Sequence, residues 1–213
     1  MKTLPGAGAR AVVGLAALAL LAASPARAQN LTFSTSGSFM GTGCTVASCN
    51  FGGFTLGYNG QSLSTYLAPS LVDLGAFFTQ ATGTSLPLTS IPAGVTFMLT
   101  ISQTGPTAGT ASVSGTVGGS LGYNPSGSSL VFTPNTNTVT IGDATYNLVT
   151  DNTGNINIAA PTTAAGQNPN ATIVKANATV STVPEPATVA LMGSGLVGLV
   201  AIGGLRRRNA KNG

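Results

Sequence analysis

Seven residues, Val95-Thr96-Phe97-Met98-Leu99-Thr100-Ile101, set Val95, Phe97, Leu99 and Ile101 on one face of an extended backbone. Alternation with a period of two is the mark of a strand with one buried face. Further strand-like runs recur at 31–34, 51–58, 71–78, 111–117, 130–132, 138–141, 145–149, 156–158 and 171–180, that at 71–78 mostly apolar. In the last of these, Thr172, Val174, Ala176, Ala178 and Val180 share a face. Turn-forming residues separate the runs: Tyr58-Asn59-Gly60, Gly105-Pro106, Tyr123-Asn124-Pro125 and Asp151-Asn152-Thr153-Gly154. Gly142-Asp143-Ala144 is expected to close a compact hairpin, and Gly52-Gly53 to form a bulge. Short strands joined by Gly- and Pro-rich turns predict an all-β fold, an antiparallel β-sandwich. A brief helix is expected around 63–67, and a loop or hinge at 161–169 (PTTAAGQNP). No internal repeat is evident, and no domain family is recognised for this region.

Charge narrows the function classes. The formal net charge of +4 belongs to the two ends of the chain. Between Gln29 and Val183 only Asp73, Asp143, Asp151 and Lys175 are ionised, so this stretch is slightly acidic. It has no basic patch, which removes the electrostatic footing of a nucleic-acid partner. Its polarity comes from Thr, Ser, Asn and Gly, and such low charge favours association. Its length suits a single domain with a sizeable core.

The ends are addresses. Lys2 and Arg10 precede an uncharged apolar run, 11–23, and Ala26-Arg27-Ala28 is a small-x-small cleavage site. These are the parts of a signal peptide over 1–28, with the mature chain starting at Gln29 after cut by signal peptidase behind the secretion translocon. The run is about 13 residues, short of the roughly 20 that span a bilayer. The C-terminal run 187–205 is uncharged and long enough to cross as a single transmembrane helix, placing the membrane among the partners. Arg206, Arg207 and Arg208 follow it and would keep the tail 206–213 cytoplasmic. Pro184-Glu185-Pro186 stands just before the run, and two prolines hold Glu185 extended, the form a protease cleft takes.

Tripeptide, apolar run and arginines, in that order, fill the last part of the chain from Val183 to Gly213. The pattern resembles the PEP-CTERM sorting signal of Gram-negative bacteria. The resemblance implies an exosortase as partner, an inner-membrane stage during sorting, and delivery to the cell surface or extracellular matrix. There Pro184, Glu185 and Pro186 carry recognition, and the arginines set orientation. The expected order is signal peptide 1–28, ectodomain 29–183, motif 184–186, transmembrane helix 187–205 and basic tail 206–213.

Few residues in the ectodomain offer chemistry. In an exported chain Cys44 and Cys49 are expected to pair as a disulfide that staples a hairpin-like turn. Their spacing is not CxxC, and no His or further Cys stands by for zinc. The chain has no His, so a Ser-His-Asp triad is excluded. Asp73, Asp143 and Asp151 could supply a carboxylate pair for a hydrolase, but turn or structural roles are the better reading. Asp151-Asn152-Thr153-Gly154-Asn155 has oxygens in alternation yet lacks the distal Glu of a calcium loop. Phe51, Phe54, Tyr58, Phe77, Phe78, Phe97, Tyr123 and Phe132 are expected to fill a core, with sugar stacking as the rival. Sequons at Asn30, Asn170 and Asn177 fall in an Asn- and Thr-rich chain and carry no assignment.

The expectation is therefore a non-enzymatic structural or adhesive protein of a biofilm or exopolysaccharide matrix. It needs no cofactor or metal, and exopolysaccharide is its candidate partner. The rival is a surface-anchored carbohydrate- or calcium-binding module.

Overall fold

The computed structural model describes residues 28–83, 86–123, 128–161 and 170–181, together with Gly193. The expected signal peptide up to Arg27, most of the hinge at 161–169, the motif Pro184-Glu185-Pro186, the run 187–205 apart from Gly193, and Arg206 to Arg208 lie outside the described residues.

The strands are β1 (Gln29–Met40), β2 (Ser48–Phe51), β3 (Phe54–Gly60), β4 (Ser64–Ala68), β5 (Ser70–Ala81), β6 (Thr89–Ser90) and β7 (Thr96–Gly105). They continue with β8 (Gly109–Gly118), β9 (Ser120–Leu121), β10 (Leu130–Pro134), β11 (Thr138–Ile141), β12 (Ala144–Leu148), β13 (Ile156–Ile158) and β14 (Asn170–Val180). The first sheet has the order β13-β10-β8-β7-β1-β4 and the second β11-β12-β14-β5-β3-β2. A two-stranded ribbon joins β6 to β9. Neighbouring strands pair antiparallel throughout. The fold is all-β and sandwich-like, as the alternating runs predict.

Alternation decides which side chains go inside. In β7, Phe97, Leu99, Ile101 and Gln103 are buried, while the residues between them are not. Val113, Gly115 and Val117 do the same in β8, and Val174, Ala176 and Ala178 in β14. Aromatic rings tie the sheets together. Phe39 and Phe97 from the first sheet meet Phe77 from the second at 6.3 and 4.7 Å between centroids. Phe132 meets Phe97 edge-on at 90°. Phe33 of β1 stacks on Tyr66 of β4 and meets Tyr146 of β12 edge-on. Each ring contributes about 1.5–3 kcal/mol through burial, and tilted pairs add about 0.5–1.5 kcal/mol.

Buried polar groups are bonded in pairs at two places, while the enclosed hydroxyl of Ser70 has no partner among the described residues. Tyr146 Oη donates to Gln103 Oε1 at 2.7 Å, and Gln103 Nε2 donates to Thr107 O at 2.7 Å. The hydroxyls of Thr35 and Tyr58 both donate to Leu74 O. Burial pushes the phenols of Tyr58 and Tyr146 well above the ordinary tyrosine range, so both stay neutral donors.

Three local expectations are corrected. Gly52-Gly53 is not a bulge. Phe51 pairs with Phe54, so the two glycines are the turn of the β2–β3 hairpin, both at positive φ, +53° and +90°. That is the backbone a two-residue hairpin turn requires. The stretch around 63–67 is strand, because Thr65, Tyr66 and Leu67 pair with Thr32, Leu31 and Asn30 of β1. Tyr58-Asn59-Gly60 is no turn either, but the end of β3, paired with Phe77, Ala76 and Gly75. By contrast, Ile141 pairs with Ala144 around Gly142-Asp143, the compact hairpin expected there.

Candidate functional site

Cys44 and Cys49 form a disulfide. They also face each other as an isolated antiparallel bridge. Inside the loop Thr45 N–H donates to Ser48 O at 2.7 Å, and Ser48 N–H returns a bond to Thr45 Oγ1 at 3.2 Å. Phe39 N–H donates to Val46 O at 3.0 Å, which ties the loop to β1. Cys49 is fully buried and Cys44 half-buried. The pair is a staple of a hairpin-like turn, with neither sulfur free. Ala28, exposed, precedes Gln29, the first residue of β1.

The three ectodomain aspartates occupy three different settings. Asp73 of β5 lies opposite Lys175 of β14, a cross-strand pair of opposite charges. Asp143 is exposed in the β11–β12 turn, where its carbonyl accepts from Ser181 N–H at 2.8 Å. Asp151 organises the turn between β12 and β13. Its Oδ1 accepts from Thr153 N–H, Thr153 Oγ1 and Asn155 N–H at 2.7–2.9 Å, and its Oδ2 accepts from Asn157 Nδ2 at 2.8 Å. The hydroxyl of Thr153 and these amides hold the carboxyl down at about 2. Donors thus occupy both oxygens, and a calcium ion there would have to displace them. Among the described residues no group of three or more His, Cys, Asp or Glu side chains is placed to hold a metal.

Phe51, Phe54, Tyr58, Phe77, Phe97 and Phe132 are buried, so they build the core and cannot stack on a ligand. Phe78 and Tyr123 are half-buried. The ring of Phe78 lies over Gly57, its cross-strand partner, where a Cβ would stand 2.1 Å from it.

The surface that the aromatic and carboxylate candidates do not account for is the outer face of the first sheet. Ser34, Ser36, Ser38 and Met40 of β1 alternate with inward-facing neighbours and point outward. In register beside them on β7 stand Ser102, Thr100, Met98 and Thr96. Beside those on β8 stand Thr110, Ser112, Ser114 and Thr116. Every position of this array carries a hydroxyl except Met40 and Met98, and none carries a charge. Rows repeat about every 4.8 Å across the strands and about every 6.7 Å along them. Thr100 Oγ1 and Ser112 Oγ bond to each other at 3.0 Å, as do Thr32 Oγ1 and Thr65 Oγ1 at the β1–β4 seam. Met40 is 65 % and Met98 41 % exposed, diagonal neighbours within the array. Ser or Thr at alternate positions over 32–38 of β1 and 110–116 of β8 was the sequence signal for it.

Residues 182–208 match the family described as a PEP-CTERM protein-sorting motif. The match begins directly after Ser181, which follows the last strand, and it covers Pro184-Glu185-Pro186 and all three arginines. No curated protein and no solved structure matches the chain. Among the described residues, which include only Gly193 of the run 187–205, no helix is long and apolar enough to cross a membrane.

Proposed function

The chain carries the sorting motif of an exosortase-targeted, exported protein, and from that premise we infer a structural or adhesive protein of the cell surface or extracellular matrix. The single observation that carries this reading is the order of parts. A disulfide-stapled, nearly uncharged β domain ends at Ser181, and the sorting motif begins at the next residue. A disulfide suits an oxidising compartment. Low charge leaves the domain without self-repulsion in a crowded matrix. The proposal assigns no catalysis: Asp73 lies opposite Lys175, Asp143 sits in a turn, and the carboxylate of Asp151 is taken up by the bonds of its own turn. Sorting would proceed with 187–205 in the inner membrane, Arg206 to Arg208 inside, and Glu185 held extended between its prolines for the exosortase.

The test is the intact mass of protein recovered from cell surface and medium. A mass ending between Val183 and Pro186 is the expected result. The double variant Glu185→Ala, Pro186→Ala should remain uncut and membrane-bound. A surface form that retains Arg206 to Gly213 in the wild type would overturn the assignment.

A further inference from the structure

We propose that the hydroxyl array on the outer face of the first sheet is a docking surface for an uncharged polysaccharide. Each Ser or Thr hydroxyl both donates and accepts, as does each hydroxyl of a sugar. The two surfaces can therefore satisfy one another without a fixed polarity. The array offers no cation for a uronate or sulfate, so an acidic polymer finds no counter-charge on it. The ionised residues of the domain lie elsewhere: Asp73 and Lys175 on the second sheet, Asp143 and Asp151 in turns.

Two further features favour a glycan. Met98 and Met40 place exposed apolar atoms among the hydroxyls, and a sugar ring presents the same mixture, apolar C–H faces bordered by hydroxyls. The array also repeats along three adjacent strands, so a repeating polymer engages several hydroxyls at once, and weak contacts sum. Ser and Thr have short side chains, which lose little rotamer entropy when they are held. A second copy of the chain fits less well. Sheets that pack face to face interdigitate apolar side chains, and within this array only Met40 and Met98 are apolar. The inference rests on the matrix reading only for where the polymer is met.

The experiment uses the full-length chain, purified in a zwitterionic detergent, in native gels containing dextran, soluble hydroxyethyl cellulose or alginate. Wild type should be retarded by a neutral glycan and not by alginate. The variant Ser36→Lys, Ser112→Lys, Ser114→Lys should lose that retardation by about tenfold or more, the effect of removing a central contact. A control variant on the second sheet, Thr140→Lys with Asn177→Lys, should keep it. Because three lysines add charge and bulk to the sheet, Thr100→Ala with Ser112→Ala is run beside them, and it should weaken retardation in the same direction. Absence of retardation by both neutral glycans would overturn the proposal. So would equal loss in the control variant, or wild-type retardation by alginate as strong as by the neutral polymers. A dimer that forms without glycan and disappears in the Lys variant, with no retardation, would assign the face to self-association instead. None of these outcomes depends on where the chain is sorted, so the matrix reading stands or falls separately on the intact mass.

Discussion

Tyr146 and Tyr58 are both buried phenols, yet their hydroxyls do not do equal work. Tyr146 donates to Gln103 Oε1, and Gln103 is itself buried. Tyr58 donates to Leu74 O, which also accepts from Thr35. Tyr146→Phe should therefore strand a buried amide oxygen and cost about 1–3 kcal/mol, whereas Tyr58→Phe leaves its acceptor bonded and should cost about 0.5–1.5 kcal/mol. Urea unfolding of the two variants side by side checks the order, and equal losses would contradict it. Asp151 gives a pH signature. Its carboxyl is held down, from the ordinary 3.8 to about 2, by Thr153, Asn155 and Asn157. A lowered carboxylate stabilises the fold above its unfolded value and loses that contribution as pH falls through the folded one. The turn 151–155 should thus open between about pH 4 and pH 2. Amide resonances of Thr153 and Asn155 should shift there, and in Asp151→Asn that titration should vanish. The aspartate in this turn was readable from its Asp-Asn-Thr-Gly spacing. The Tyr146–Gln103 bond was not, since residues so far apart in sequence meet only after β7 and β12 pack.

The strands depend on contacts that a local pattern cannot name. At Gly60 the end of β3 passes so close to β1 that a Cβ there would stand 2.1 Å from the backbone carbonyl of Thr35. Backbone on both sides cannot give way as a side chain end could. Thr35 N–H meanwhile donates to Gln61 O at 2.9 Å, and Gln61 N–H donates to Thr35 Oγ1 at 2.8 Å, stitching the two sheets at this point. Gly60→Ala should destabilise by about 1–3 kcal/mol, the scale of overpacking. A thermal midpoint unchanged from wild type would contradict the close approach. Sequence pattern placed Tyr58-Asn59-Gly60 in a turn because Asn-Gly is the commonest turn dipeptide. Pairing with Phe77, Ala76 and Gly75 of β5 outweighed that preference. The same competition turned 63–67 from helix to strand: β1 offers unpaired backbone along its edge, and a short segment gains more from a ladder than from one helical turn.

β14 is an inner strand of the second sheet. It lies between β12 and β5 in the second sheet, and it brings Val174, Ala176 and Ala178 into the core. The sorting motif begins just beyond it, so sorting and folding meet at Ser181. A chain ended at Ser181 should fold with stability within about 0.5 kcal/mol of one that carries the motif, because it keeps every core residue among the described residues. A chain ended before Asn170 should fail to fold and be degraded, since both neighbours of β14 are left with open edges. Limited proteolysis of the two truncated forms distinguishes them, and a protease-resistant shorter form would refute the central place of β14. Strand content, the disulfide and the sorting signal were all legible in the sequence. Each is a short-range property: alternation with period two, a pair of cysteines in an exported chain, and a linear motif read as an extended peptide. Which strands lie side by side, and in what register, was decided only by tertiary structure, because long-range pairing is selected by the joint burial of Phe39, Phe77, Phe97 and Phe132 from distant segments. That register aligns hydroxyls from β1, β7 and β8 into rows. No local pattern specifies such an array, since each strand alone shows only that its outward positions are polar.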